Sequence, residues 1–175
     1  LFCALHLPRD KEILLITKAD LEDCDSYLAQ GGICVLKNED DYDSYFEDTM
    51  RAGHYENNKE SVDIMIRSSR DIINELIDCG VDFERNPDGS LAFTKEGAHS
   101  TPRILFHEDI TGREITSKLL EKVKRLPNVK IMERFTMVDI IEDNGRCAGI
   151  IGKHSNGAMT AVYADYTVFA TGGIG

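Results

Sequence analysis

Residues 12–17, Glu-Ile-Leu-Leu-Ile-Thr, limit the fold more tightly than any other stretch of the chain. Their apolar run is continuous and does not alternate. A strand with one wet face alternates apolar with polar; a strand covered on both faces, as in a parallel sheet, does not. Just upstream, Leu1–Leu7 reads as an apolar helix and Pro8-Arg9-Asp10 as a turn. Apolar helix, turn and apolar strand make the second half of a β-α-β unit. The sequence therefore predicts an α/β chain.

The rest of the chain adds two layers to that start. Asp40–Ala52 reads as a helix ending at Gly53. Val62–Cys79 is a stronger one, with Val62, Met65, Ile66, Ile72, Ile73, Leu76 and Ile77 at the 3.6-residue period, Ser61 as cap and Gly80 as stop. Phe93–Asp109 is a polar loop without periodic cues. Thr111–Leu126 is a helix, and Thr111 with Glu114 has the capping-box spacing. From Val129 the period changes to two. Val129–Glu133, Thr136–Glu142, Cys147–Lys153 and Ala158–Tyr163 alternate with turns that include Asn144-Gly145 and Asn156-Gly157, which predicts an antiparallel meander. Tyr166–Ala170 reads as one more apolar strand running into Thr171-Gly172-Gly173. Crossover helices with a meander suggest a nucleotide-binding α/β domain carrying an inserted helical segment.

Charge and cysteine content exclude several functions. The formal net charge is −11, so a phosphate backbone is repelled and non-specific nucleic-acid binding is not expected. No apolar run approaches the roughly 18 residues of a membrane span. The five cysteines are odd in number and form no C-x-x-C pair, which argues against a disulfide framework or structural zinc and for a reducing, cytoplasmic compartment. The 175 residues suit one domain, or one domain with part of a second. The chain opens without Met on an uncapped helix and stops just after a strand, so it reads as a piece of a longer protein.

Three clusters carry chemistry. Lys18–Gly32 follows a strand tip, where open α/β sheets place ligands. Lys18 suits a phosphate or a flavin carbonyl; the competing reading is a plain surface loop. Thr94–Ser100, with Arg103, His107 and Arg113, gathers an acid, two imidazoles and two guanidinium groups. Such a set suits a small dicarboxylate or an amino acid, with Arg on carboxylates and a carboxylate on an ammonium; a solvated polar loop is the alternative. The eight-residue spacing of His99 and His107 matches no zinc pattern, so no metal is expected. The third cluster is Val168–Gly173, a strand entering paired glycines.

Taken in order, Ser26-Tyr27-Leu28-Ala29-Gln30-Gly31-Gly32-Ile33, Thr94-Lys95-Glu96-Gly97-Ala98-His99-Ser100 with Arg103-Ile104-Leu105, Thr111-Gly112-Arg113-Glu114 and Ala170-Thr171-Gly172-Gly173 resemble the L-aspartate oxidase family. That family belongs to the flavoprotein group of succinate dehydrogenase and fumarate reductase. The Gln-Gly-Gly and Thr-Gly-Gly pieces are shared by the group, and the Glu96 segment points to the oxidases.

The resemblance implies a partial, Rossmann-like FAD-binding domain over residues 1–175. The first strand and G-x-G-x-x-G turn would precede it, and the capping and C-terminal domains would follow. It implies FAD contacts from Lys18, Asp25, Ser26, Tyr27, Leu28, Ala29, Gln30, Gly31, Gly32, Val138, Gly172 and Gly173, and a catalytic role for Glu96 on the substrate amino group. Asp25 stands where the dehydrogenases carry the histidine that bonds to flavin, so FAD is expected to be held non-covalently. The implied reaction is oxidation of L-aspartate to iminoaspartate, with O₂ or fumarate as acceptor. It would be the first step of quinolinate and NAD synthesis, with a functional link to quinolinate synthase. Two alternatives remain at this level. One is a soluble fumarate reductase or succinate dehydrogenase flavoprotein; the other is a non-catalytic piece, inactive alone, that self-associates through an unpaired edge of Glu12–Thr17.

Overall fold

The computed structural model describes residues 1–172. In chain order the elements are α1 (Phe2–His6), β1 (Ile13–Ile16), α2 (Asp25–Leu28), β2 (Ile33–Cys34), α3 (Tyr42–Ala52), α4 (Lys59–Asp78), β3 (Ile104–Leu105), α5 (Thr111–Lys124), β4 (Val129–Met132), β5 (Phe135–Asp143), β6 (Arg146–His154) and β7 (Met159–Tyr163). The chain divides into two compact units, Leu1–Asp25 with Val123–Gly175, and Ser26–Lys122.

In the first unit β1 pairs in parallel with β4, from Ile13 opposite Val129 to Ile16 opposite Met132. The continuous apolar run thus makes the parallel strand that its composition predicts, but not the expected burial on both faces: in a two-stranded sheet none of its four residues is buried, and Leu14 is 38% exposed. Its partner is a correction: Val129–Glu133 leaves the expected meander to form this two-stranded sheet. The junction explains the change. Arg134 has φ 55°, a left-handed bend between β4 and β5. Its amide donates to Ala19 O, Phe135 N donates to Thr17 O, and Leu21 N donates to the Glu133 carboxylate, so the bend is tied to the end of β1. Each strand of the pair keeps one edge unpaired among the described residues.

The meander is β5-β6-β7, antiparallel, with a register shift between Met137 and Asp139. Asn144-Gly145 has φ of 53° and 77°, the paired positive values of a type I′ hairpin turn. Phe135 is fully buried, and its ring lies where a Cβ on Gly152 would stand. Tyr166–Ala170 is a second correction: it forms no strand among the described residues, and Tyr166 is 90% exposed.

The second unit is built on α3 and α4. Leu36, Tyr45, Met50, Val62 and Ile66 form its core, with Cys34, Tyr42 and Phe46 against them. The α4 helix begins at Lys59, three residues before its expected start: Asn58, not Ser61, is the cap, and its side chain accepts from Ser61 N. The capping box of α5 is not made. Thr111 Oγ1 accepts from His107 N, and Glu114 accepts from Asp82 N, so both side chains tie the preceding loops instead. The polar stretch 93–109 hides a strand, β3, which pairs antiparallel with β2. No helix among the described residues is long and apolar enough to cross a membrane.

Candidate functional site

In the second unit the turn Ser26–Ala29 docks on the first turn of α5. Gly112 N donates to Ala29 O at 3.0 Å. A Cβ at Gly112 would run into the Ser26 carbonyl, so only glycine lets the two backbones approach this closely. The Arg113 guanidinium lies 5.2 Å over the Tyr27 ring, a cation–π contact. A cavity of about 140 Å³ opens beside the turn, lined by Tyr27, Leu28, Ala29, Gln30, Asp109, Ile110 and Arg113.

Gln30, Gly31 and Gly32 then lead into β2, and the two glycines do different work. A Cβ at Gly32 would strike the Ile104 side chain and the Leu105 carbonyl, so Gly32 is small to let β2 close on β3. At Gly31 the added atom would meet only Glu96 Oε2, at 3.4 Å. The structure therefore brings the Gly31 loop and Glu96 together, both on the surface.

Beneath Glu96 lies a buried ionic network centred on Arg103, which has 0% exposure. Its Nε and Nη2 donate to Asp41 at 3.1 and 2.9 Å, and Nη2 also donates to Ser44 Oγ at 2.7 Å. Its Nη1 donates to Asp48 Oδ2 at 2.6 Å and faces His99 Nδ1 at 3.2 Å. Asp48 also accepts from Ser100 N and Oγ and from Arg51. Burial alone would raise the Asp48 carboxyl. The Arg103 charge and the Ser100 hydrogen bonds outweigh it and hold the group well below the usual carboxylate range, and Asp41 is lowered by the same balance with Arg103, Ser44 and Thr101. Burial raises the Cys34 thiol and the neighbouring Tyr45 phenol, so both stay protonated at neutral pH.

This network corrects one expectation. Arg103 is not free to meet a ligand carboxylate, because two carboxylates of its own chain already surround it. The residues that do so, Asp41 and Asp48, escaped sequence reasoning, as did Tyr45 and Cys34. The visible signal was slight: Asp41, Ser44, Tyr45 and Asp48 stand at i, i+3, i+4 and i+7 at the start of a helix, a polar stripe on the face that buries Tyr45.

In the first unit Lys18 lies two residues past the end of β1 and is exposed. Next to it Asp20 pairs with Arg134 through two hydrogen bonds of 2.6 and 2.9 Å. Val138 occupies the register shift in β5 and is 55% exposed. Asp25 opens α2, and a Cβ on Gly172 would stand 3.9 Å from its Oδ2, so the carboxylate faces that glycine. Gly173 lies outside the described residues.

The donor chemistry of the second unit fits a flavin. No backbone hydrogen bond among the described residues uses the amides of Gln30 or Gly31 as donors, and Gly31 has open space apart from Glu96. Exposed amides beside a residue without a side chain suit a flat ring bearing carbonyl and ring-nitrogen acceptors. No group of three or more metal-binding side chains occurs among the described residues.

Comparison with known proteins gives the same direction. A family model described as "FAD binding domain" matches residues 1–175. L-aspartate oxidase of Clostridium perfringens is 46% identical over 175 residues, covering 100% of this chain and 39% of that protein. Among solved structures, Mycobacterium smegmatis Sdh1 in complex with UQ1 superposes with a TM-score of 0.85 at 28% identity, over 95% of this chain and 31% of that one. Escherichia coli quinol fumarate reductase FrdA, carrying a point mutation, has a TM-score of 0.90 at 24% identity, over 98% and 30%. The chain thus spans about two fifths of the length of the curated relative it matches.

Proposed function

Because the chain belongs to the FAD binding domain family along residues 1–175, we propose that it is the flavin-holding portion of an L-aspartate oxidase. The observation that carries this reading is the Glu96 carboxylate beside Gly31, in a loop whose sequence resembles the oxidases. When bound, FAD would supply the two-electron acceptor for oxidation of L-aspartate at Cα to iminoaspartate, with one ammonium proton lost to solvent and O₂ or fumarate as the final acceptor.

The protein's part is binding and orientation. Gln30 and Gly31 offer backbone donors to the ring, and the turn Ser26–Ala29 is braced from below by Gly112. Lys18, Asp25 to Gly32, Val138, Gly172 and Gly173 are the proposed cofactor contacts. Asp25 has no ring nitrogen with which to form a covalent flavin bond, so the cofactor is held non-covalently. Glu96 pairs with the substrate ammonium and holds Cα in place for transfer, a proximity effect. The 46% identity to a curated L-aspartate oxidase supports the choice of substrate. All five cysteines are free, which accords with a reaction in the cytoplasm that feeds quinolinate and NAD synthesis.

The test is Glu96→Gln in the full-length, flavin-loaded protein. Losing a charge-assisted contact worth about 1.5–3 kcal/mol weakens use of L-aspartate by roughly ten- to a hundredfold while FAD stays bound. Unchanged kinetics would remove Glu96 from the site.

A further inference from the structure

Glu96 is exposed, yet the loop that carries it is held by its other residues. Ala98 O accepts from Arg51, Ser100 gives its amide and hydroxyl to Asp48, and Thr101 gives its hydroxyl to Asp41. Thr94 exchanges both backbone hydrogen bonds with Ile104. Between these anchors Lys95, Glu96 and Gly97 form a tip, closed by the His99 amide donating to Glu96 O at 3.0 Å.

The His99 side chain crosses from this loop to the strand that follows Gly31 and Gly32. Its Nδ1 lies 3.2 Å from Arg103 Nη1 and its Nε2 lies 3.2 Å from Cys34 Sγ. Guanidinium nitrogens only donate, and Arg103 meets five acceptor contacts with five N–H groups: two to Asp41, one each to Ser44 and Asp48, and one to His99. His99 Nδ1 must therefore accept. The remaining nitrogen carries the proton and donates to Cys34. The edge of the ring also meets Tyr45, with centroids 6.2 Å apart. The imidazole is thus fixed in one tautomer and one orientation, as a strut between the Glu96 loop and β2.

We infer that His99 is a positioning residue: bridging Arg103 and Cys34, it sets the placement of the Glu96 carboxylate beside Gly31. The inference rests on the proposed role of Glu96 toward an amino-bearing dicarboxylate. If His99 acts only through Glu96, its loss hurts a substrate with an ammonium group and spares one without.

The experiment compares His99→Ala and His99→Gln, alone and in the Glu96→Gln background, in full-length holoprotein. His99→Ala raises the KM for L-aspartate roughly tenfold. Binding of succinate, a dicarboxylate with no ammonium, read from the flavin difference spectrum, stays within about twofold. His99→Gln recovers part of the loss, because its amide offers one acceptor and a donor. In the Glu96→Gln background His99→Ala adds nothing further, the non-additivity expected of residues that act as one. Equal weakening of L-aspartate and succinate, or additive effects with Glu96→Gln, would overturn the inference. Amide exchange across residues 95–101 separates it from the underlying reading. If the unaltered protein does not turn over L-aspartate, that reading fails, and positioning is then judged by exchange alone. Faster exchange in His99→Ala upholds the strut, and unchanged exchange refutes it.

Discussion

Replacing Arg103 by Met removes all five guanidinium donors and keeps most of the aliphatic volume. Asp41 and Asp48, 8% and 2% exposed, then lose the cation between them. Breaking a buried ion pair from one side costs about 3–5 kcal/mol, because the remaining charge is buried without compensation. Two features hold the cost toward the lower end. Asp48 keeps Arg51 and Ser100, and Asp41 keeps Ser44 and Thr101. In urea denaturation followed by circular dichroism, a loss of about 3–4 kcal/mol with a slope of about 2 kcal/mol per molar lowers the midpoint by about 1.5–2 M. The effect depends on pH with a definite sign. Both carboxyls sit below their ordinary value in the native protein, so their stabilisation is present above about pH 4 and drains away as pH falls through the lowered folded values. In the variant the unpaired, buried carboxyls prefer the proton, and protonation relieves them. The gap between the two proteins is therefore widest near neutral pH and narrows toward about pH 4. A loss under about 1 kcal/mol, or one that does not vary between neutral and acid, refutes the reasoning.

Other substitutions separate structural from ligand-facing roles. Gly32→Ala drives a methyl into Ile104 and the Leu105 backbone, and costs about 1–3 kcal/mol in the same denaturation assay. Gly31→Ala meets only Glu96 at 3.4 Å, so the denaturation midpoint holds while retention of the visible flavin band on gel filtration drops. Arg134→Met breaks the exposed pair with Asp20 and leaves the midpoint unmoved, in contrast with Arg103→Met.

What the sequence made legible followed from periodicity and turn chemistry. The unalternating run at Ile13–Ile16 announced a parallel strand, the spacing of Val62, Ile66, Ile73 and Leu76 announced α4, and Asn144-Gly145 announced the β5-β6 hairpin. Three features stayed hidden for physical reasons. The β2 and β3 strands are two residues long, too short to show a period. The partner of β4 is chosen by contacts more than a hundred residues away in sequence, which no local pattern records. The role of Arg103 depends on acids 62 and 55 positions distant, so a residue that reads as a ligand-binding guanidinium is instead the buried brace beneath the site. The meeting of Gly31 with Glu96 was expected from the family resemblance; spacing alone did not require it.

The central claim is that a flavin held by this chain takes hydride from an amino acid read by Glu96. Anaerobic addition of L-aspartate to the flavin-loaded full-length protein tests it most directly. The account predicts that the visible flavin absorbance bleaches with L-aspartate, far more slowly in Glu96→Gln, and not with succinate. Bleaching by succinate with no response to L-aspartate would contradict it.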